Sequence, residues 1–477
     1  MPVAFLVILA AHIADGLTRG GGTLGAFFRF SERGTNFRTE VLAGLTTFMT
    51  MAYIIFVNPA ILGTEGTGLP VSGVFFATCV AAAVACIAMG LVANYPLALA
   101  SGLGLNAIVA FTLILGLGLS WQEAMAVVVV EGVLVTVLVL TNLREAVLNA
   151  IPNSLKFAIA VGIGLFIAFI GLKNAGLIVQ DPATYLKLGD MTQGPVLLAV
   201  FGLVVTLALV ARGLRGGILI GILVTGVVGM IAGIVPPPSG IVDFSFDTST
   251  IGGGVLAVPQ VLQISLIPVI FALFMTDFFD TMGTMIAVGQ EGDLLDEEGR
   301  VPQAKRVLLV DSLAATLGGA TGASSVTSYI ESGSGVAEGG RTGMTSVVVG
   351  LLFLVALPFS PLISVFGGSV PVPGPAEGEI FVSPVTAPAL IVVGFLMMTA
   401  VRLIPWDRYD EAIPAFLTIL TLPLTFNISY GIGFGFISYV LIKLAKGRPG
   451  EVHPLLYVAA LLFALAFVWP SLQSLLS

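Results

Sequence analysis

Charged residues, cysteine and histidine are all scarce in this sequence. Its 477 residues include two cysteines, two histidines and 10% charged side chains, with a net charge of -8. Both cysteines, Cys79 and Cys86, fall in one apolar run, which excludes a disulfide framework, and a chain with few basic residues lacks the surface that binds nucleic acid. We therefore expect no metal, no cofactor and no nucleic-acid partner, and a packing role for the two cysteines.

Apolar residues fill most of the chain instead. Hydrophobic residues make up 57% of it, and the mean hydropathy is +1.07, which is too apolar for a soluble protein. Apolar runs of about 20 residues, the length that crosses the roughly 30 Å core of a bilayer, recur along the chain. The 58 glycines and 26 prolines favour close helix contacts and interrupted spans. The sequence predicts an all-α polytopic membrane protein, either a transporter or a channel.

The apolar runs give about fourteen transmembrane spans. They are 41–62, 73–93, 96–118, 122–140, 154–175, 195–212, 217–235, 264–288, 306–322, 323–340, 343–362, 385–402, 411–427 and 430–446. Lys and Arg cluster in alternate connections, whereas 63–72, 236–263 and 363–384 contain neither, so the positive-inside rule predicts a cytoplasmic N-terminus. One further apolar run, 452–469, is either an interfacial helix or an additional span.

The first 26 residues differ from the rest of the chain. Their apolar stretch is too short to span a bilayer and lacks the basic region and cleavage site of a signal peptide, and Gly20-Gly21-Gly22 separates it from Phe27. We expect residues 1–26 to form a non-structural extension and the folded protein to begin near Phe27.

Two short motifs recur in the same order. Phe48-Met49-Thr50 returns as Phe274-Met275-Thr276, and Ser101-Gly102-Leu103-Gly104 is matched by Ser332-Gly333-Ser334-Gly335, at offsets of 226 and 231 residues. These matches predict two homologous halves of about seven spans. An odd number of spans inverts the second half, so we expect a substrate site near the bilayer midplane, where the broken spans 3 and 10 present the N-termini of half-helices.

Ionisable groups inside spans are costly and need a partner or a function. The candidates are Glu131, Asp277, Asp280, Asp311, Glu331 and Glu338. Asp277 and Glu331 adjoin the repeated motifs, and their counterparts in the first half, Met51 and Ala100, are not acidic. We therefore expect these two to bind substrate, although bonding to neighbouring hydroxyls is the structural alternative. Glu131, Asp280 and Asp311 are expected to bond neighbouring helices.

Other polar residues flank this pair. Thr281 lies one turn after Asp277 and can bond the carboxylate, a ligand or its own helix. Asn106 can present a donor and an acceptor to a planar ligand, or cap a helix. Tyr329 offers an aromatic face for stacking, or is an ordinary membrane tyrosine. Glu338 is expected to pair with Arg341 at the cytoplasmic end.

Four longer motifs resemble those of the adenine/guanine/hypoxanthine permeases, a branch of the nucleobase:cation symporters related to the uracil and xanthine permeases. The motifs are Thr46 to Pro59 (TTFMTMAYIIFVNP), Gly104 to Ala107 (GLNA), Asp277 to Thr284 (DFFDTMGT), and Ser328 to Ser332 (SYIES) followed by Gly335 to Gly343 (GVAEGGRTG). The resemblance covers the chain from about Phe27 to the C-terminal region.

The resemblance implies a seven-plus-seven inverted repeat, divided into a core and a gate domain, and a homodimer. The core would comprise 27–140 (spans 1–4) and 264–384 (spans 8–11), and the gate 141–263 (spans 5–7) and 385–477 (spans 12–14 with the C-terminal apolar segment). It also implies a substrate site made by Asp277, Glu331, Asn106 and Tyr329. We expect Thr281, Gly104, Ile330 and Ser332 to complete this site, and Asp277 and Glu331 to couple the proton, because burial of a carboxyl group favours its protonated form.

The function expected from these features is import of purine nucleobases across the plasma membrane by proton symport, with the core moving against the gate as an elevator. Sodium is the alternative coupling ion. A transporter of the same fold for uracil, xanthine or an anion is the first alternative, although two acidic residues would repel an anion. An intramembrane transferase is the second, with Asp293, Asp296, Glu297 and Glu298 as its acidic residues.

Overall fold

The computed structural model describes residues 23–141, 151–263, 266–296, 301–374 and 379–476. Its helices are α1 (Thr23–Phe28), α2 (Phe37–Met51), α3 (Ile54–Leu62), α4 (Val71–Ala88), α5 (Leu103–Ala107), α6 (Trp121–Thr141), α7 (Asn153–Asn174), α8 (Gly194–Ala211), α9 (Gly217–Ile231), α10 (Gly253–Leu256), α11 (Val258–Val261), α12 (Ile267–Glu291), α13 (Ala304–Thr321), α14 (Ser332–Ala337), α15 (Gly343–Ala356), α16 (Pro361–Phe366), α17 (Ala387–Met397), α18 (Tyr409–Leu424), α19 (Ile428–Ala445) and α20 (Pro454–Leu476). Two helices continue as π-helical turns, α4 through Met89–Ala93 and α5 through Ile108–Gly116.

Six short strands form three antiparallel pairs. The strands are β1 (Leu99–Ser101), β2 (Ile178–Asp181), β3 (Tyr185–Leu188), β4 (Val326–Ser328), β5 (Val370–Pro373) and β6 (Glu379–Val382). β2 pairs with β3 and β5 with β6 as local hairpins, whereas β1 pairs with β4 across the two halves of the chain. Both hairpins lie in connections for which the sequence predicted no strand.

The mainly helical membrane fold predicted from the sequence is confirmed. Seven helices of the described chain have the length and composition to cross a membrane, and five shorter apolar helices accompany them. Each predicted span overlaps one or more helices, and spans 3 and 10 contain a short strand that leads into a short helix. Thr23–Phe28 is helical, so four residues of the expected N-terminal extension are ordered in the fold, while residues 1–22 lie outside the described residues.

The helices pack in two groups. In the first, α15 packs on α2 and α4, α13 packs on α6 and α4, and α12 packs on α6. In the second, α7 packs on α17 and α18, α18 packs on α19, and α8 packs on α9. The first group contains helices of predicted spans 1–4 and 8–11, and the second those of spans 5–7 and 12–14.

A buried carboxylate joins the ends of two helices in the first group. Glu40, in the first turn of α2, is fully buried and accepts hydrogen bonds from the backbone N–H groups of Arg341, Thr342 and Thr345 at 2.8, 3.3 and 3.2 Å. These N–H groups precede or belong to the first turn of α15, where a helix has no intrahelical acceptors for them. Glu40 therefore fixes the GGRTG motif against α2.

Glycines allow helices α4 and α15 to approach closely. A Cβ built on Gly90 would collide with the carbonyl oxygen of Gly343, and one built on Gly343 would collide with the carbonyl oxygen of Gly90. Since membrane helices associate mainly through close packing, small residues at such a crossing stabilise the pair.

Candidate functional site

The candidate site lies where strands β1 and β4 meet. Leu99 pairs with Ser328 and Ser101 with Val326, and each strand leads into a short helix, α5 or α14. Ser101 and Ser328 therefore end equivalent strands, which corresponds to an offset of 227 residues rather than the 231 of the Ser-Gly motifs. In this register the first-half counterpart of Glu331 is Gly104, and not Ala100 as the sequence repeat indicated.

Two of the predicted site residues are fixed by backbone groups of this strand pair. The hydroxyl of Tyr329 donates to the carbonyl oxygen of Ser101 at 2.5 Å, and the side chain is 6% exposed. The hydroxyl oxygen of Ser332 accepts from the backbone N–H of Ala98 at 2.9 Å. These bonds hold the segment between β4 and α14 in position, and Glu331 belongs to that segment.

Glu331 is oriented by a tyrosine from the first half of the chain. The hydroxyl of Tyr53, which lies between α2 and α3, donates to Oε1 of Glu331 at 2.6 Å. Tyr53 is 2% exposed, whereas Glu331 is half-buried and its neighbour Ile330 is 54% exposed. The Glu331 carboxylate is thus held at the wall of an accessible crevice.

Asp280 faces the same crevice. Its side chain is exposed although it lies deep in the protein, within electrostatic range of Glu331, Tyr53 and Tyr329. After Asp280, exposed residues recur about once per turn of α12: Gly283, then Ile286 and Ala287, then Gln290 and Glu291. One face of α12 is therefore exposed from Asp280 to the end of the helix.

Asp277 lies away from this crevice. It is 1% exposed, and its carboxyl group faces that of Glu131 on α6, which is fully buried. Neither carboxyl group makes a direct hydrogen bond of ordinary geometry to another described residue. The predicted contact of Asp277 with the substrate stays a prediction. The buried position of Asp277, closed off from the crevice, does not favour it.

Asp311 ties the surrounding hydroxyl groups together. Its two carboxylate oxygens accept from Thr281 and Ser328, each at 2.6 Å. Thr281 lies 2.8 Å from the hydroxyl of Thr327. Thr281 therefore bonds to both Asp311 and Thr327. Asp311 links α13 to α12 and β4, in agreement with the bonding to neighbouring helices that we expected from the sequence.

The remaining predicted site residues lie on or near α5. Asn106 is fully buried, and both polar atoms of its amide lack a hydrogen-bond partner within the described chain. Gly104 is half-buried, and a Cβ at this position would come within 2.8 Å of Cγ2 of Ile163 on α7. Gly104 therefore lies where the two helix groups meet.

The predicted pair of Glu338 with Arg341 is wrong. Glu338 forms its ion pair with Arg215, in the connection between α8 and α9. The Arg341 guanidinium donates instead to the carbonyl oxygens of Val336 and Gly340 at 2.6 and 2.8 Å. Arg341 therefore bonds within the first helix group, whereas Glu338 forms an ion pair with a residue of the second.

Sequence reasoning did not select Tyr53 as a site residue and assigned Asp280 to helix bonding. Both stand inside the motifs that resemble the permeases, and the DFFDTMGT motif carries two aspartates. Only their relative exposure, which the sequence does not contain, separates Asp280 from Asp277. Two of the acidic residues of the transferase alternative, Glu297 and Glu298, lie outside the described residues.

Comparisons with known proteins agree with the resemblance read from the motifs. The model of the Permease family, which covers xanthine and uracil permeases, matches residues 38–434. A putative permease of Methanocaldococcus jannaschii is 48% identical over 93% of this chain and 98% of its own length. The guanine/hypoxanthine permease PbuG of Bacillus subtilis is 43% identical over 93% of this chain and 99% of its own, and the adenine permease AdeP of Escherichia coli is 42% identical over 95% and 97%.

Solved structures show the same fold. The transmembrane domain of the cyanobacterial bicarbonate transporter BicA superposes with a TM-score of 0.59 at 13% identity, over 83% of this chain and 97% of that domain. Murine Solute Carrier 26 family member A9, an anion transporter in the inward-facing state, gives 0.60 at 12% identity, over 86% of this chain and 68% of its own. At such identities the likeness concerns the fold.

Proposed function

Because this chain belongs to the Permease family and is a multi-pass membrane protein rather than an enzyme, we propose that it imports purine nucleobases of the adenine, guanine and hypoxanthine class across the plasma membrane. Support comes from relatives that carry the names of purine permeases and match nearly the whole chain. The observation that carries the proposal is the crevice at Glu331, where an oriented carboxylate is open to a small ligand.

The chemistry of the crevice suits a purine. A purine is flat, neutral and rich in N–H groups, which carboxylates accept strongly. Glu331 and Asp280 can each accept from it, and the unpaired amide of Asn106 can offer both a donor and an acceptor. A carboxylate-lined crevice repels anions, which speaks against the anion alternative. We assign purine contacts to Asp280 and Glu331.

A proton is the proposed coupling ion. Burial in a low-dielectric interior favours the neutral form of a carboxyl group, so such a group can carry a proton through the transport cycle. Asp277 and Glu331 are the proposed carriers. Sodium coupling is the alternative, and the dependence of uptake on each ion separates the two.

The proposed movement is an elevator-like displacement of the core domain, residues 27–140 and 264–384, against the gate domain, residues 141–263 and 385–477. The first helix group corresponds to the core domain and the second to the gate domain. Gly104 against Ile163 and Glu338 with Arg215 are contacts between them that such a displacement would break. A homodimer would hold the gate domains still while the cores move.

Uptake of a labelled nucleobase panel into cells that lack their own purine permeases tests the proposal. We expect accumulation of at least one of adenine, guanine and hypoxanthine, collapse of that accumulation by a protonophore, and no change when sodium is replaced by choline. Uptake of uracil or bicarbonate without any purine uptake would overturn the substrate class. Loss of uptake on sodium removal alone would overturn proton coupling.

A further inference from the structure

Glu131 and Asp277 form a closed pair of facing carboxyl groups inside the first helix group. Glu131 is 0% exposed and Asp277 is 1% exposed, and they come from different helices, α6 and α12. The charged side chains nearest to the two groups are acidic: each faces the other and Asp311, and Asp277 also faces Asp280. Two facing anions in such a place would repel each other strongly, because the low-dielectric interior screens them little.

We propose that Glu131 and Asp277 together hold a single proton, in a closed site separate from the purine crevice. One carboxyl group is protonated and donates its O–H to the carboxylate of the other, so the pair carries one negative charge. The proton arrives from water and returns to it, and no other bond changes. This inference rests on the proposed function and narrows it, since it assigns the coupling proton to Glu131 and Asp277 and leaves Glu331 to bind the purine.

Buried hydroxyl groups surround the two acids, and that of Ser325 is unpaired. Ser325 is fully buried, and its hydroxyl faces Glu131 without a hydrogen bond of ordinary geometry to another described residue. The hydroxyl of Thr327 faces Asp277 and lies 2.8 Å from that of Thr281. A buried polar group without a partner is destabilising, so the Ser325 hydroxyl favours a state of the pair to which it can bond.

The other acids near the pair have different surroundings. Asp311 faces both carboxyl groups from α13, but its oxygens already accept from Thr281 and Ser328. Asp280 follows on α12 and is exposed to the crevice. Among the described residues, no group of three or more His, Cys, Asp or Glu side chains is placed to hold a metal ion. A proton suits the pair better than a divalent cation.

Strand β4 connects the proton site to the purine site. Thr327 on β4 faces Asp277, and the chain continues through Tyr329 to Glu331 at the crevice wall. A change in the charge of the pair alters the bonding of Thr327 and therefore the strand that positions Glu331. This gives a direct route by which a bound proton and a bound purine affect each other's affinity.

The test begins with the proton itself, without purine. Infrared difference spectra of the purified protein against Asp277→Asn and against Glu131→Gln should each show the loss of a protonated carboxyl band at neutral pH. Glu123→Gln is the matched control, since Glu123 stands on the same helix and bonds the N–H of Ser120 at 2.8 Å at the helix start. A protonated band that both variants retain overturns the proposal, whatever the substrate is.

Coupling is then measured by calorimetric titration with purine in buffers of different ionisation enthalpy. At a pH where the pair holds no proton, we expect the original protein and Glu123→Gln to take up about one proton per purine bound. Asp277→Asn and Glu131→Gln should take up nearly none, and their affinity for purine should no longer vary with pH. Unchanged proton uptake in Glu131→Gln overturns the proposal. If purine affinity depends on sodium and the two pair variants lose that dependence, the pair binds sodium, and the proposal is overturned as well. Absence of purine binding by the original protein would instead refute the proposed function.

Discussion

At the scale of single residues, the position of Glu331 depends on a partner far away in sequence. The Tyr53 hydroxyl bonds one carboxylate oxygen of Glu331, so the other can accept from a ligand. The carbonyl of Glu331 also accepts from the Ser334 hydroxyl at 2.6 Å. Side chain and backbone are therefore both held before a ligand arrives, which lowers the entropy cost of binding.

Replacement of Glu331 tests its part in purine binding. Glu331→Ala should weaken binding by roughly 100-fold, because a charged acceptor of a ligand hydrogen bond is removed. Glu331→Gln should weaken it less, since the amide keeps one acceptor oxygen. Calorimetry on purified protein measures both, and an unchanged dissociation constant for the alanine variant would exclude Glu331 from the site.

Replacement of Tyr53 tests the orientation of that carboxylate. Tyr53→Phe keeps the buried ring and removes only the donor to Glu331, so we expect roughly 10-fold weaker purine binding with little change in thermal stability. The same change at Tyr457, whose hydroxyl bonds the carbonyl of Pro449 in an exposed setting, is the control. Equal affinities for Tyr53→Phe and the original protein would contradict the orienting role.

At the scale of elements, the short helix α14 lies between a packed face and an open one. A Cβ on Gly335 would collide with the hydroxyl of Thr47 and the carbonyl oxygen of Ala43, both on α2, whereas a Cβ on Gly333 would meet no atom within 4 Å. The first glycine is therefore required for helix packing. The second lies on the side of the crevice.

Alanine substitutions at these two glycines should have different effects. Gly335→Ala should lower the melting temperature and the yield of folded protein, since overpacking against backbone costs about 1–3 kcal/mol. Gly333→Ala should leave the melting temperature unchanged and can affect only ligand access. Thermal unfolding of the purified variants in detergent is the measurement. A stable Gly335→Ala protein would mean that α14 can move away from α2 at little cost.

At the scale of the whole molecule, few polar contacts join the two helix groups within the described residues. The ion pair of Arg215 with Glu338 is one of them, and both side chains are partly exposed, at 51% and 35%. An exposed pair is worth about 1 kcal/mol or less. That is enough to bias the populations of two transport conformations without locking either.

Charge reversal tests this bridge. Arg215→Glu and Glu338→Arg, made singly, should each change the initial rate of uptake by roughly two- to five-fold, because like charges now face each other across the groups. The double exchange should restore most of the rate. Purine affinity should stay within error in all three variants. If the two single effects simply add in the double variant, the pair does not couple the groups.

The sequence by itself determined that the protein is a multi-pass membrane protein and which motifs carry its family resemblance. These features are local: the length of an apolar run decides whether it can cross a bilayer, and breaks such as 99–102 and 326–331 are visible within a few residues. Asn106 and Glu331 could be selected because polar groups beside broken spans are costly without a partner or a function, whereas Ile330 was included because it lies within a motif that resembles the permeases.

Only the tertiary structure decided which acids are closed and which are exposed. Asp277 and Asp280 are three residues apart on α12, yet one is closed against α6 and the other is open to the crevice, since a modest rotation of a helix changes what each position faces. The register of β1 with β4, the bond from Tyr53 to Glu331 and the pairing of Glu338 with Arg215 likewise join residues distant in sequence. Such contacts are set by the packing of whole helices, and no local pattern encodes them.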